Sequence, residues 1–159
     1  DQKETEAVNN QKTTLWSAAL DNTEVKKYPD RELNHYIEFN SDQLDQTAKQ
    51  YGVSREDMLK QYDLDDEDEF NAVNEDSSKL RVKQEMLIQY IADKENLSYT
   101  DKEKEALIKS FEAQGYDADA IEQQTGRTLE DYVHIELLYE KVLDFLLDNA
   151  NITGAPTTE

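Results

Sequence analysis

Apolar residues along this chain recur every three or four positions instead of every second one, a spacing that predicts amphipathic helices and no strands. A first helix is predicted over roughly residues 3 to 21, carrying Val8, Leu15, Trp16, Ala19 and Leu20. Asn22-Thr23 interrupts it, and Val25-Lys26-Lys27-Tyr28 runs extended into Pro29, since the residue before a proline disfavours helix. Pro29 suits the first turn of a second helix, with Asp30 and Glu32 near its positive end. Its stripe is Leu33, Tyr36, Ile37, Leu44, Ala48 and Tyr51, and Gly52 ends it.

Ser54-Arg55-Glu56-Asp57 opens a short helix bearing Met58, Leu59 and Tyr62. Asp65 is placed as the cap of a long helix from about Asp66 to Glu95. On its wheel Phe70, Val73, Leu80, Leu87, Ile88 and Ile91 share one face, while Val82, Met86 and Tyr90 line another in the second half only. That helix therefore starts exposed and ends buried on two sides. Thr100 and Glu103 form a capping box before Leu107 and Phe111, with Gly115 beyond. Asp117 caps a short helix around Ile121 that Gly126 closes, and Thr128 caps the last. From Leu129 to Leu147 that last helix has little polar face and is placed at the centre of the core. Asn151 to Glu159 reads as a polar tail.

Leu, Ile, Val and Phe number 34, of which 21 lie from Leu80 onward, so the second half carries most of the buried surface and the first half is thinner and more extended. Four Gly and two Pro supply too few turns for an all-β fold. The fold class is all-α. The formal charge of −20 argues against phosphate backbones and anionic membranes as partners, because those recruit clustered Lys and Arg. The absence of Cys removes disulfides, thiolate nucleophiles and Cys-ligated metals. Without an initiator Met or a signal-type apolar core, the start Asp1-Gln2-Lys3-Glu4 suggests a piece of a longer protein.

Candidate chemistry is sparse. The run Asp63 to Glu69 invites a calcium loop, but Asp68 stands where the tight turn wants Gly and Asn74 where the closing Glu belongs, so it reads as an acid-rich first helical turn. His35 and His134 are far apart in sequence and outside any paired metal spacing. Nucleophile elbows and phosphate loops need glycines that four scattered ones do not supply. The 37 acids leave acid–base catalysis as a distant third reading, since chance adjacency accounts for such pairs. No metal, no cofactor and no enzymatic activity are expected. What stands out is apolar side chains in odd places. Phe39 lies well off the stripe of its helix, and Trp16, Tyr36, Met58 and Tyr62 belong to the thin half, where each serves either core packing or an adaptable binding surface.

Five words in a fixed order are familiar: Leu15-Trp16-Ser17-Ala18-Ala19-Leu20, Val25-Lys26-Lys27-Tyr28-Pro29, Gln50-Tyr51-Gly52-Val53, Val82 to Leu87 followed by Ile91 to Glu95, and Glu140 to Leu146. Over nearly the whole chain this resembles the C-terminal domain of bacterial trigger factor and trigger-factor-like proteins, a helical chaperone domain related to SurA-like peptide-binding domains. The resemblance implies a multi-helix body with extended helical arms. Residues 1–28 would be a linker helix and extended segment, 29–64 arm-like helices, 65–150 the body and 151–159 the tail. The family's ribosome-docking and prolyl isomerase domains have no counterpart here, so isomerase activity would belong to the parent protein. By the same likeness the module is an ATP-independent holdase for unfolded or nascent polypeptides, cytoplasmic as family members typically are, with an extracytoplasmic place open because secreted foldases share the architecture. The alternative is a helical scaffold docking one folded partner. The family offers no residue signature for clients, so Phe39, Met58 and Tyr62 are put forward as the peptide-binding residues from their chemistry and place.

Overall fold

The computed structural model describes residues 2–150, and all regular structure within them is helical: α1 (Gln2–Asp21), α2 (Asp30–Tyr51), α3 (Arg55–Gln61), α4 (Glu67–Glu95), α5 (Asp101–Ala113), α6 (Ala118–Thr125) and α7 (Leu129–Asn149). The tail expected at 151–159 lies outside the described residues. Short polar side chains start the helices by accepting the free amides of the first turn: Ser54 from Asp57, Thr100 from Glu103, Asp117 from Ala120 and Thr128 from Asp131. Thr100 and Glu103 complete the reciprocal capping box. The cap of α4 is Asp66 and not Asp65. Asp66 accepts from the Glu69 amide, while the Asp65 amide donates to the Glu69 carboxylate, so both acids take part and the helix begins one residue later.

Two apolar cores form. In the body, α1 lies on α4 and α7, and α7 also packs against α5 and α6, which puts it at the centre. Trp16, Leu87, Ile88, Ala92, Leu138 and Val142 are buried there, and the Trp16 and Tyr139 rings meet edge to face with centroids 5.0 Å apart. Each large aliphatic in that core contributes about 1.5–3 kcal/mol over leaving it in water. The arm is the second core. α2 packs on α3 and α4, enclosing Leu44, Ala48, Met58, Leu59 and Phe70 against Val53 and Leu64. Phe70 makes α4 a member of both units, because its first turns complete the arm while Leu87 and Ile88 enter the body.

The apolar wheel of α4 is only partly what is buried. Its inward stripe is Phe70, Asn74, Ser78 and Val82, one residue every fourth position, while Val73 and Leu80 face out at 53% and 49% exposure. Tyr90 and, on α2, Tyr51 are also exposed. Along the α2–α4 contact Tyr36 meets Glu85, Asn40 meets Asn74 and Ser78, and Leu44 and Phe70 share a core, so the two helices run antiparallel.

Candidate functional site

The arm owes its shape to two tight turns. Gly52 takes φ 67, which a residue without Cβ adopts freely, and this lets the chain leave α2 and enter α3 after only three intervening residues. Asp63 takes φ 58 and turns the chain toward α4. Arg55 then ties the three helices together. Its guanidinium donates to Glu67 at 2.6 Å and Asp45 at 2.9 Å and lies 4.9 Å from the centre of the Phe70 ring.

Between α2, the end of α3 and α4 this leaves an open groove of ≈ 410 Å³. Its apolar floor and walls come from Leu44, Leu64 and Phe70, with Tyr62 and Val73 beside them as the accessible side chains. Amides and hydroxyls of Asn40, Gln43, Thr47, Asn74 and Ser77 complete the lining. No Asp, Glu, Lys or Arg takes part, in a chain where those four types make up 34% of residues. Such a surface can desolvate apolar side chains and hydrogen-bond a backbone, and it holds no acid, base or nucleophile pair for a reaction.

At the base of the arm the polar groups are charged instead. The Tyr36 hydroxyl donates to Glu85 at 2.7 Å, and Arg127 grips the same carboxylate, its Nε at 2.9 Å. Arg81 lies over the Tyr36 ring at 4.2 Å and donates to the Thr125 carbonyl at 2.7 Å. Burial first, and the bond and charge of Glu85 second, push the Tyr36 hydroxyl up to about 12. A smaller hollow of ≈ 220 Å³ adjoins this cluster, between Trp16, Tyr132, Tyr139 and Glu136, and desolvation raises the Glu136 carboxyl above its ordinary value. Among the described residues no group of three His, Cys, Asp or Glu is arranged to hold a metal ion.

The three residues put forward from the sequence occupy three different environments. Tyr62 is 57% exposed and lines the groove. Met58 is 2% exposed, which corrects its placing on an accessible surface: α3 folds back on α2 and α4, and its one apolar face sends Met58 and Leu59 inward together. Phe39 is half-buried against the corner between α6 and α7, close enough that a Cβ on Gly126 would meet its ring at 2.8 Å. The groove residues missed by sequence reading are Val73, placed on the apolar face shared with Phe70 and Leu80 without a binding role, and the amides, whose position depends on how α2 and α4 meet.

The family model described as "Bacterial trigger factor protein (TF) C-terminus" matches residues 1–148. A trigger factor of Staphylococcus saprophyticus is 30% identical over 96% of this chain and 34% of its own length. Those of Bacillus pumilus, 29% identical over 92% of this chain and 34% of theirs, and Pediococcus pentosaceus, 27% identical over 94% and 32%, are similar as well. The chain thus spans about a third of the length of these curated relatives. No solved structure gives a significant match.

Proposed function

Because the chain belongs to the trigger factor C-terminal family, we propose that it is an ATP-independent holdase module that binds unfolded or nascent polypeptides in the cytoplasm. The family is the chaperone part of trigger factor and not its isomerase part, so the module works by binding and not by turnover. The observation that carries the reading is the charge-free groove of the arm, where Tyr62 and Val73 stand exposed beside Phe70 and Leu44. An extended client segment placed there buries apolar side chains while the side-chain oxygens of Gln43, Thr47 and Ser77 accept from its backbone amides. The surrounding charge of −20 keeps the loaded complex dispersed. The division into linker helix, arm and body at residues 28 and 64 is part of the same proposal, with the first turns of α4 shared. Phe39 contributes from the corner as a support for the arm.

The test is suppression of aggregation for several unrelated denatured proteins, compared between the parent and a Tyr62→Ser, Val73→Ser variant. The parent should protect most of them, and the variant should protect less while keeping its helical spectrum. Protection of none, together with tight binding of one folded protein, would replace the holdase by a scaffold. Undiminished protection by the variant would move the binding surface away from the groove.

A further inference from the structure

The two apolar cores are divided by a layer of buried polar side chains. Asn74 and Ser78 are 3% and 1% exposed and lie on the inward stripe of α4. Asn40 reaches them from α2: its Nδ2 donates to Asn74 Oδ1 at 2.8 Å and to Ser78 Oγ at 3.2 Å. Ser78 in turn donates to Asn74 Oδ1 at 3.2 Å, and Asn74 Nδ2 donates to the Ile37 carbonyl of α2 at 2.9 Å. The ring is closed, and no buried side-chain nitrogen or oxygen among the described residues lacks a partner.

We propose that Asn40, Asn74 and Ser78 fix the register of α2 on α4 and so position the two walls of the arm groove. Apolar contact is non-directional, and side chains spaced by four repeat every turn, so an apolar seam alone would accept a slip of one turn, about 5.4 Å along the helix. The polar ring does not. A slip would strand Asn74 and Ser78 against apolar neighbours, where each forfeits its water without a replacement bond. A single buried Asn sets register in paired helices in the same manner, at some cost in stability. Tyr36 also crosses the contact, but Glu85, Arg81 and Arg127 surround it with alternative polar partners, whereas the buried pair has only Asn40 and Ile37. Register matters to the groove because Asn40, Gln43, Leu44 and Thr47 form its α2 wall and Phe70, Val73 and Asn74 its α4 wall. This part rests on the holdase reading, while the register itself does not.

The test replaces the ring by apolar groups, Asn40→Leu, Asn74→Leu and Ser78→Ala, in the full chain. Spin labels go on Glu32→Cys and Asp76→Cys, both exposed, in a sequence that has no cysteine of its own. The parent should show one narrow distance. The apolar variant should keep its helical spectrum and a thermal midpoint at or above the parent's, yet show a broadened or second distance displaced by several Å, about one turn of slip. It should also bind a capped, uncharged Val/Leu/Thr peptide several-fold more weakly. A single narrow distance at the parent's value overturns the proposal whatever the peptide does. Failure of the parent itself to bind the peptide removes the groove's function and leaves the distances to decide register. If the triple variant does not fold, Asn40→Ala, Asn74→Ala and their combination decide: the double should lose less in its unfolding constant than the product of the two single losses. Independent, multiplicative losses overturn the ring as a unit.

Discussion

Changing Met58 to Ser should cost about 2–5 kcal/mol in urea unfolding, the range for emptying a well-packed apolar site, because the side chain sits inside the arm core. Tyr62→Ser, four positions on, should stay within about 0.5 kcal/mol, since a side chain standing in water leaves no cavity. Equal losses at both positions would contradict the arm packing. Gly126 and Gly115 provide a second controlled pair. Both have positive φ, so Ala strains either one, but an added Cβ meets only solvent at Gly115 and meets the Phe39 ring at Gly126. Gly126→Ala should therefore lower the melting temperature more than Gly115→Ala, and the excess should shrink when Phe39 is changed to Leu. A third prediction concerns acid. The Glu103 carboxyl is held at about 2, against an ordinary 4.5, first by its bond from Lys141 and then by the amide and hydroxyl of Thr100. A depressed folded value contributes stability that is fully present above 4.5 and lost as the pH falls toward 2. The gap in melting temperature between the parent and Glu103→Gln should be widest near neutral pH and close across that window. A gap that widens on acidification would reverse the assignment.

At the scale of helices, two separately buried cores predict two blocks of slow amide exchange, one around Leu87, Leu138 and Val142 and one around Leu44 and Leu59. Exchange that is slow in the body and uniformly fast from residue 30 to 62 would deny the arm a core of its own. The helix ends were legible in the sequence, because a cap is a local contract: Ser54, Thr100, Asp117 and Thr128 need only an amide three residues on, and Gly52 and Gly126 need only their own φ. Two adjacent acids at 65 and 66 offered the same local chemistry, and the choice between them fell to Glu69. The inward stripe of α4 was not legible. Asn74 and Ser78 read as surface residues on any hydrophobicity scale, and they are buried only because Asn40 and a carbonyl arrive from a helix more than thirty residues away. The same fact sends Val73 and Leu80 outward. Met58 and Tyr62 likewise share a short segment whose pattern does not say which of them turns in.

For the whole molecule, the contrast between a charge of −20 and a groove without ionic side chains separates two kinds of attraction. Binding of an uncharged apolar peptide should change little between low and high salt, whereas a lysine-rich peptide of equal length should weaken as the screening length contracts from about 30 Å at 0.01 M to about 8 Å at 0.15 M. Equal salt sensitivity of the two would place both on the acidic exterior. The layout also orders events in time. The arm is closed by one continuous stretch, with its core residues all lying between Leu44 and Phe70. The body is not, since Trp16 of the first helix packs on Tyr139 of the last, and the Lys12 ammonium reaches Asp144. Chains are made from the N-terminus at about 5–20 residues per second, so the arm has its full complement of partners seconds before the body does. On the synthesising machinery α1 has only its edge against α4 to rest on, and the greater part of its apolar face stays uncovered until α7 has been delivered.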